Sequence, residues 1–194
     1  GDDPKYLNAI ATPKHFAVHS GPEPERHRFD AEPSEQDLRA TYLAAFEACV
    51  REGHAQSIMA AYNSVDGLPC SANPRLLTQI LRNEWHFTGY VVSDVDAVAD
   101  VWENHQTVNT PEEAAAAAVK AGCALNGGTT YAALVSAVQQ GLIPEADIDR
   151  AVSRLFLARM KLGLFDPPGQ VPLAQSPYSA NDTKAHDAVA LQMA

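Results

Sequence analysis

The run Tyr90-Val91-Val92-Ser93-Asp94 closes an apolar segment with a carboxylate. A charge in such a place is costly unless it is solvated, hydrogen-bonded or used in chemistry. Asp94 is therefore the first catalytic candidate, able to attack an electrophilic carbon or to accept a proton. The competing reading is that it only caps the segment that follows. Lys14-His15 follows an earlier apolar stretch and Tyr62-Asn63 ends another. Lys and His side chains can hydrogen-bond the hydroxyls of a polyol, and Tyr62 combines a stacking face with a donor. A salt bridge or a satisfied rim position is the plainer alternative for Lys14 and His15. His15 and His19 stand four apart and His27 follows, but no acidic residue is in helical register with them, so no metal is expected. Cys49, Cys70 and Cys123 lie far apart without a CxxC pair and read as small buried apolar residues.

These residues need elements to position them. Four apolar runs, residues 9–11 leading to Lys14-His15, then 57–62, 89–94 and 121–125, have the pattern of strands buried on both faces. Each is followed by a helix-like segment. Ser34-Glu35-Gln36-Asp37 fits a capping box ahead of Leu38, Tyr42, Ala45, Phe46 and Cys49 at helical spacing. Asn73-Pro74 and Thr110-Pro111 mark two further helix starts, and Gly141 and Gly163 two stops. Ile148, Val152, Leu155 and Phe156 share one face of the helix between those glycines.

Strands alternating with helices predict an α/β fold with a parallel sheet. Four such units correspond to half of a (β/α)8 barrel, which typically takes about 250 residues. The active site would then lie at the C-terminal ends of the strands, where all the candidates above are. Residues 1–165 are expected to form this half-barrel. The prolines and glycine of Asp166-Pro167-Pro168-Gly169 predict an extended linker, and residues 166–194 the linker with the first helix of a second domain, starting near His186. The last helix has no stop signal, so the chain is expected to be part of a longer one.

The composition is that of an ordinary globular protein, 46% hydrophobic and 20% charged over 194 residues. A net charge of -10 without a basic run argues against nucleic acid or an anionic membrane as partner. No apolar stretch approaches the roughly 20 residues of a membrane span.

Lys14-His15-Phe16, Ser57-Ile58-Met59-Ala60-Ala61-Tyr62-Asn63 with Gly67, and Gly89-Tyr90-Val91-Val92-Ser93-Asp94 resemble, in order and spacing, consecutive motifs of glycoside hydrolase family 3. The segment from Ala17 to Glu23, with His27-Arg28-Phe29-Asp30, resembles the branch of β-xylosidases and related β-glucosidases. The resemblance implies a barrel followed by an α/β sandwich domain, with Asp94 as nucleophile, Lys14 and His15 on sugar hydroxyls, and Met59 and Tyr62 lining the same subsite. It implies a retaining, exo-acting β-xylosidase or β-glucosidase that forms a glycosyl-aspartate and needs no cofactor. Its substrate would be a β-linked oligosaccharide, its site of action periplasmic or extracellular, and its acid/base Glu outside this chain. Where relatives commonly read Gly-x-Asp-Leu, this chain has Gly122-Cys123-Ala124-Leu125, which predicts a less polar last rim. Two other readings stand beside it: a non-catalytic sugar-binding fragment, and an aldolase-type barrel using Lys14 as a Schiff-base amine.

Overall fold

A computed structural model describes residues 3–194. Six strands are present among them: β1 (Asp30–Ala31), β2 (Ser57–Ala60), β3 (Ser64–Val65), β4 (Leu68–Pro69), β5 (Tyr90–Val95) and β6 (Cys123–Gly127). Three of the expected runs become the parallel sheet β2-β5-β6. Ile58 faces Val91 and Ala60 faces Ser93 across its first ladder. Ile58, Val91 and Cys123 are fully buried, as strands covered on both faces require. A smaller mixed sheet, with β1 parallel to β3 and β3 antiparallel to β4, was not foreseen. Its strands have two residues each, too few to show a period.

Residues 9–14 do not form the expected fourth strand. The chain meets β2 through one isolated parallel bridge, Phe16 to Ala60. The Phe16 amide donates to Met59 O at 2.8 Å, the Ala61 amide to Phe16 O at 2.8 Å and the Met59 amide to Pro13 O at 3.1 Å. Pro13 has no N–H to contribute, so a ladder through it cannot continue. The Lys14–His15 and Phe16–Ala17 peptide bonds are cis.

The helices are α1 (Glu35–Asp37), α2 (Ala44–Arg51), α3 (Asp100–Glu103), α4 (Pro111–Ala121), α5 (Leu134–Gln139), α6 (Glu145–Lys161) and α7 (Lys184–Met193). Leu38–Tyr42 and Arg75–Glu84 add wider π-type turns. The expected caps form. Ser34 Oγ accepts from the Asp37 amide at 3.1 Å, Asn73 Oδ1 from the Leu76 amide at 3.2 Å, and Thr110 Oγ1 from the Glu113 amide at 3.2 Å. α7 begins two residues before His186 because Thr183 caps it, its Oγ1 accepting from the His186 amide at 3.3 Å.

Contacts divide the chain into two units, Ile10–Ala158 and a second that joins the N-terminal stretch up to Ala9 with Arg159–Ala194. In the first, Phe16 has no exposure and meets Phe46 and Trp85 edge-on at 5.1 and 5.9 Å. Edge-to-face pairs each add about 0.5–1.5 kcal/mol beyond area burial. A second apolar cluster joins Ala116, Val119, Ala124, Ala137, Ile143 and Ala151. The expected apolar face of α6 is only partly covered: Ala151 is buried, whereas Val152 and Phe156 stay open. In the second unit the Leu7 amide donates to Lys161 O at 2.8 Å and Tyr6 Oη to Asp166 at 2.5 Å. The stretch expected as an extended linker instead folds into short 3₁₀ turns, Pro168–Gln170, Pro172–Gln175 and Tyr178–Ala180. Each follows or starts on a proline, whose fixed φ suits a tight turn.

Candidate active site

Asp94 stands at the C-terminal end of β5, 8% exposed. The pairing of β5 with β6 is irregular between Val91 and Val95, and such bulges re-aim side chains at the ends of strands. Ser93 bridges the irregularity: its Oγ donates to Asn126 Oδ1 at 3.2 Å and accepts from the Gly127 amide at 2.9 Å. Asp94 is thereby held against β6 through its neighbour. Its Oδ1 accepts from the Val95 amide at 2.8 Å and its Oδ2 lies 3.2 Å from His15 Nε2, which must be the donor.

Tyr62 lines the same cavity as Asp94. Burial first, then the charge of Asp94, pushes the Tyr62 phenol above its ordinary pKa, with Arg26 opposing. The hydroxyl stays protonated at neutral pH and is available as a donor. His105 fixes the backbone beneath, its Nε2 donating to Tyr62 O at 2.8 Å while Nδ1 meets Ser64 Oγ at 3.0 Å. The carboxylate is thus oriented by a backbone amide and an imidazole, and remains open to solvent through a cavity of about 310 Å³ lined by His15, Ser20, Glu23, Arg26, Tyr62 and Asp94. Such a group can act as a nucleophile toward a ligand in that cavity.

His15, Tyr62 and Asp94 are therefore brought together. Lys14 is exposed and does not line the cavity, nor does Met59, which sits partly buried in β2. The three histidines diverge. His15 faces Asp94, His19 Nδ1 accepts from the Gly21 amide at 3.1 Å, and His27 Nδ1 lies 2.7 Å from Asp100 Oδ2. Asp96 and Glu103, two other carboxylates after β5, are exposed and away from the lining. The departure at Ala124 falls in the apolar cluster rather than on the rim, where Asn126 supplies the polar group.

Sequence reasoning did not single out Ser20, Glu23 and Arg26. They lie in or beside the short turn Glu23–Glu25, which has no period to read. Their charges were the available signal: Glu23 and Arg26 stand three apart and pair at 2.8 Å.

The family model described as the glycosyl hydrolase family 3 N terminal domain matches residues 5–158. A xylan 1,4-beta-xylosidase of Xylanibacter ruminicola is 42% identical over 196 residues, a match that takes in 100% of this chain and 23% of that enzyme. Among solved structures, an exo-beta-xylosidase in complex with a xylobiose aziridine activity based probe matches with a TM-score of 0.90 at 30% identity, over 98% of this chain and 25% of that one. A beta-glucosidase of Erythrobacter marinus matches with a TM-score of 0.84 at 31% identity, over 97% and 25%. The chain thus spans about a quarter of the length of these relatives. With 154 of its residues inside the family model and the fold shared throughout, the chain belongs to glycosyl hydrolase family 3.

Proposed function

We propose that this chain carries the nucleophile of a retaining, exo-acting β-xylosidase or β-glucosidase, with Asp94 forming a glycosyl-aspartate. The observation that carries the reading is the Asp94 carboxylate at the end of β5, met by His15 in an open cavity that Tyr62 also lines. In double displacement the carboxylate attacks the anomeric carbon while an acid protonates the leaving oxygen, and water then releases the sugar. The acid needs a carboxyl about 5–5.5 Å from the nucleophile. Glu23, the other carboxylate in the lining, is largely exposed and paired with Arg26, so the acid/base is assigned to a part of the protein outside this chain.

The same proposal reads β2-β5-β6 as part of the C-terminal half of a (β/α)8 barrel over residues 1–165, with residues 166–194 leading to a second domain. Lys14 and Met59, which do not line the cavity of this chain, are assigned to the same subsite from the resemblance of their motifs alone. The substrate is a β-linked oligosaccharide, and the site of action is periplasmic or extracellular. The Schiff-base alternative needs a desolvated amine, and Lys14 is exposed.

Asp94→Ala in the full-length protein tests the proposal on an activated β-xyloside or β-glucoside. Turnover should fall by several orders of magnitude, and added azide should restore release of the aglycone, giving the α-configured glycosyl azide. Full activity in Asp94→Ala, or a β-configured azide product, overturns it.

A further inference from the structure

Four of the chain's 14 lysines and arginines, Arg82, Lys120, Arg150 and Arg154, meet in a cavity of about 530 Å³ that the mechanism above does not use. Thr88 and Gly122 in its wall lie just before β5 and β6, so it sits at the end of the sheet opposite Asp94. Arg82 comes from the π-type turns Arg75–Glu84 and Lys120 from the last turn of α4. Arg150 and Arg154 are four apart in α6 and share one face of it. In a chain of net charge -10 this is a local excess of cations.

That excess is poorly neutralised. Arg82 Nη1 donates to Phe87 O at 3.3 Å and to Gly89 O at 3.2 Å, and Nη2 to Gly122 O at 3.3 Å. Its Nε is buried without a partner among the described residues. The carbonyls satisfy hydrogens of this half-buried group but bring no net charge to it. Arg154, half-buried as well, has no hydrogen bond or ion pair among the described residues, and neither has Lys120. Asp147, the one carboxylate in the lining, is paired with Arg150. Burial, then the charge of Arg154, pushes the Arg82 guanidinium down to about 10. Burial, then the charge of Arg150, lowers Arg154. Burying a charge without a counter-ion is costly, and like charges four apart on a helix repel. An anion in the cavity removes both costs, and arginine forks match the oxygens of a tetrahedral oxyanion. The volume holds such an ion together with bridging waters, at about 30 Å³ each.

We propose that this cavity binds a small inorganic oxyanion of the phosphate or sulfate class, held by Arg154, Lys120 and Arg150 in the positive field that Arg82 completes. The bound anion ties α4 and α6 to the turns ahead of β5, at the base of the sheet. Its effect is on stability, and it takes no part in the reaction at Asp94, which lies at the other end of the strands.

The test follows thermal unfolding of the full-length protein at neutral pH while sodium phosphate replaces sodium chloride at constant ionic strength. Tm should rise and saturate, half-maximal in the millimolar range, with turnover of an aryl β-xyloside unchanged. Arg154→Met keeps an apolar stem and removes the charge. It should weaken phosphate binding about tenfold, the loss of one charge-assisted contact, and leave Tm in chloride unchanged or higher because repulsion is relieved. Lys120→Met, on another helix, should weaken binding in the same direction and replaces Arg154→Met if that variant does not fold. A rise that does not saturate and is equal in the wild type and both variants is the general effect of an excluded salt, and overturns the site. A wild type whose Tm does not respond to phosphate overturns it as well; a lower Tm of Arg154→Met in chloride would then mean that a carboxylate from elsewhere in the protein fills the cavity.

Discussion

Gly89 stands immediately before β5, where its backbone crosses that of β2. A Cβ added there would lie 2.1 Å from Gln56 O, 2.6 Å from Gln56 C and 2.8 Å from Phe87 Cζ. Real Cβ atoms essentially never come within 3.0 Å of such neighbours, so β2 and β5 must separate by roughly 1 Å at this point. Two of the obstructing atoms are backbone, and the Tyr90 amide donates to the same Gln56 O at 3.2 Å. The added methyl therefore both overpacks the core and stretches a ladder bond. Overpacking costs about 1–3 kcal/mol and a weakened buried hydrogen bond about 1 kcal/mol, so Gly89→Ala should cost about 3 kcal/mol. Two other glycines calibrate this. Gly67, with φ +78° and nothing within 4 Å, should lose about 1 kcal/mol as Ala, from backbone conformation alone. Gly169, with open space and an ordinary φ, should change stability by less than about 0.5 kcal/mol. Urea unfolding of the three variants should give the order Gly89, Gly67, Gly169. Because β5 ends in Asp94, Gly89→Ala should also lose activity in the fraction that stays folded. A Gly89→Ala variant as stable as Gly169→Ala would refute the close approach of the two strands.

Ser93→Ala removes the acceptor of the Gly127 amide and the donor to Asn126, so about 1–2 kcal/mol of stability should be lost together with part of kcat, measured by denaturant unfolding and aryl glycoside turnover. Unchanged kinetics would separate Ser93 from the placement of Asp94. Burial pushes the Cys70 and Cys123 thiols up to about 12 and about 11, so iodoacetamide at pH 8 should modify the partly exposed Cys49 first and the other two only after unfolding, read by peptide mass. Arg39 holds Glu35 and Glu84 below the ordinary carboxylate range. Their contribution is complete above the unfolded-state value near 4.5 and is lost as pH falls through the lower folded-state values. Arg39→Met should flatten the acid limb of stability against pH slightly, since exposed pairs contribute little.

The parts of the fold that could be read in advance are those with a local physical signature. The runs that became β2, β5 and β6 are apolar on both faces, and Ser34, Asn73 and Thr110 are caps whose side chains bond within three residues. Residues 9–14 have the same apolar character, yet Pro13 removes a ladder donor and leaves one bridge. α6 was read for its large apolar residues, but the close contact is made by Ala151. At the site, Asp94, His15 and Tyr62 were visible because they end or follow apolar runs. Arg26, His27 and Asp100 were not, because their partners lie far away along the chain: the His27–Asp100 bond joins residues 73 apart. A carboxylate at the start of a one-turn helix has no signature until a histidine from a distant loop is found against it.

The central claim is that Asp94 is the nucleophile, and trapping the covalent intermediate tests it most directly. The full-length protein is incubated with a 2-fluoro β-xyloside or β-glucoside bearing a good leaving group, then digested and mapped by mass spectrometry. The good leaving group needs little protonation, so labelling depends mainly on the nucleophile. One fluorosugar should be found on the peptide containing Ser93-Asp94, on Asp94 itself, and none in Asp94→Ala. A label on Asp96, Glu103 or Glu23, or one that persists in Asp94→Ala, would contradict the account.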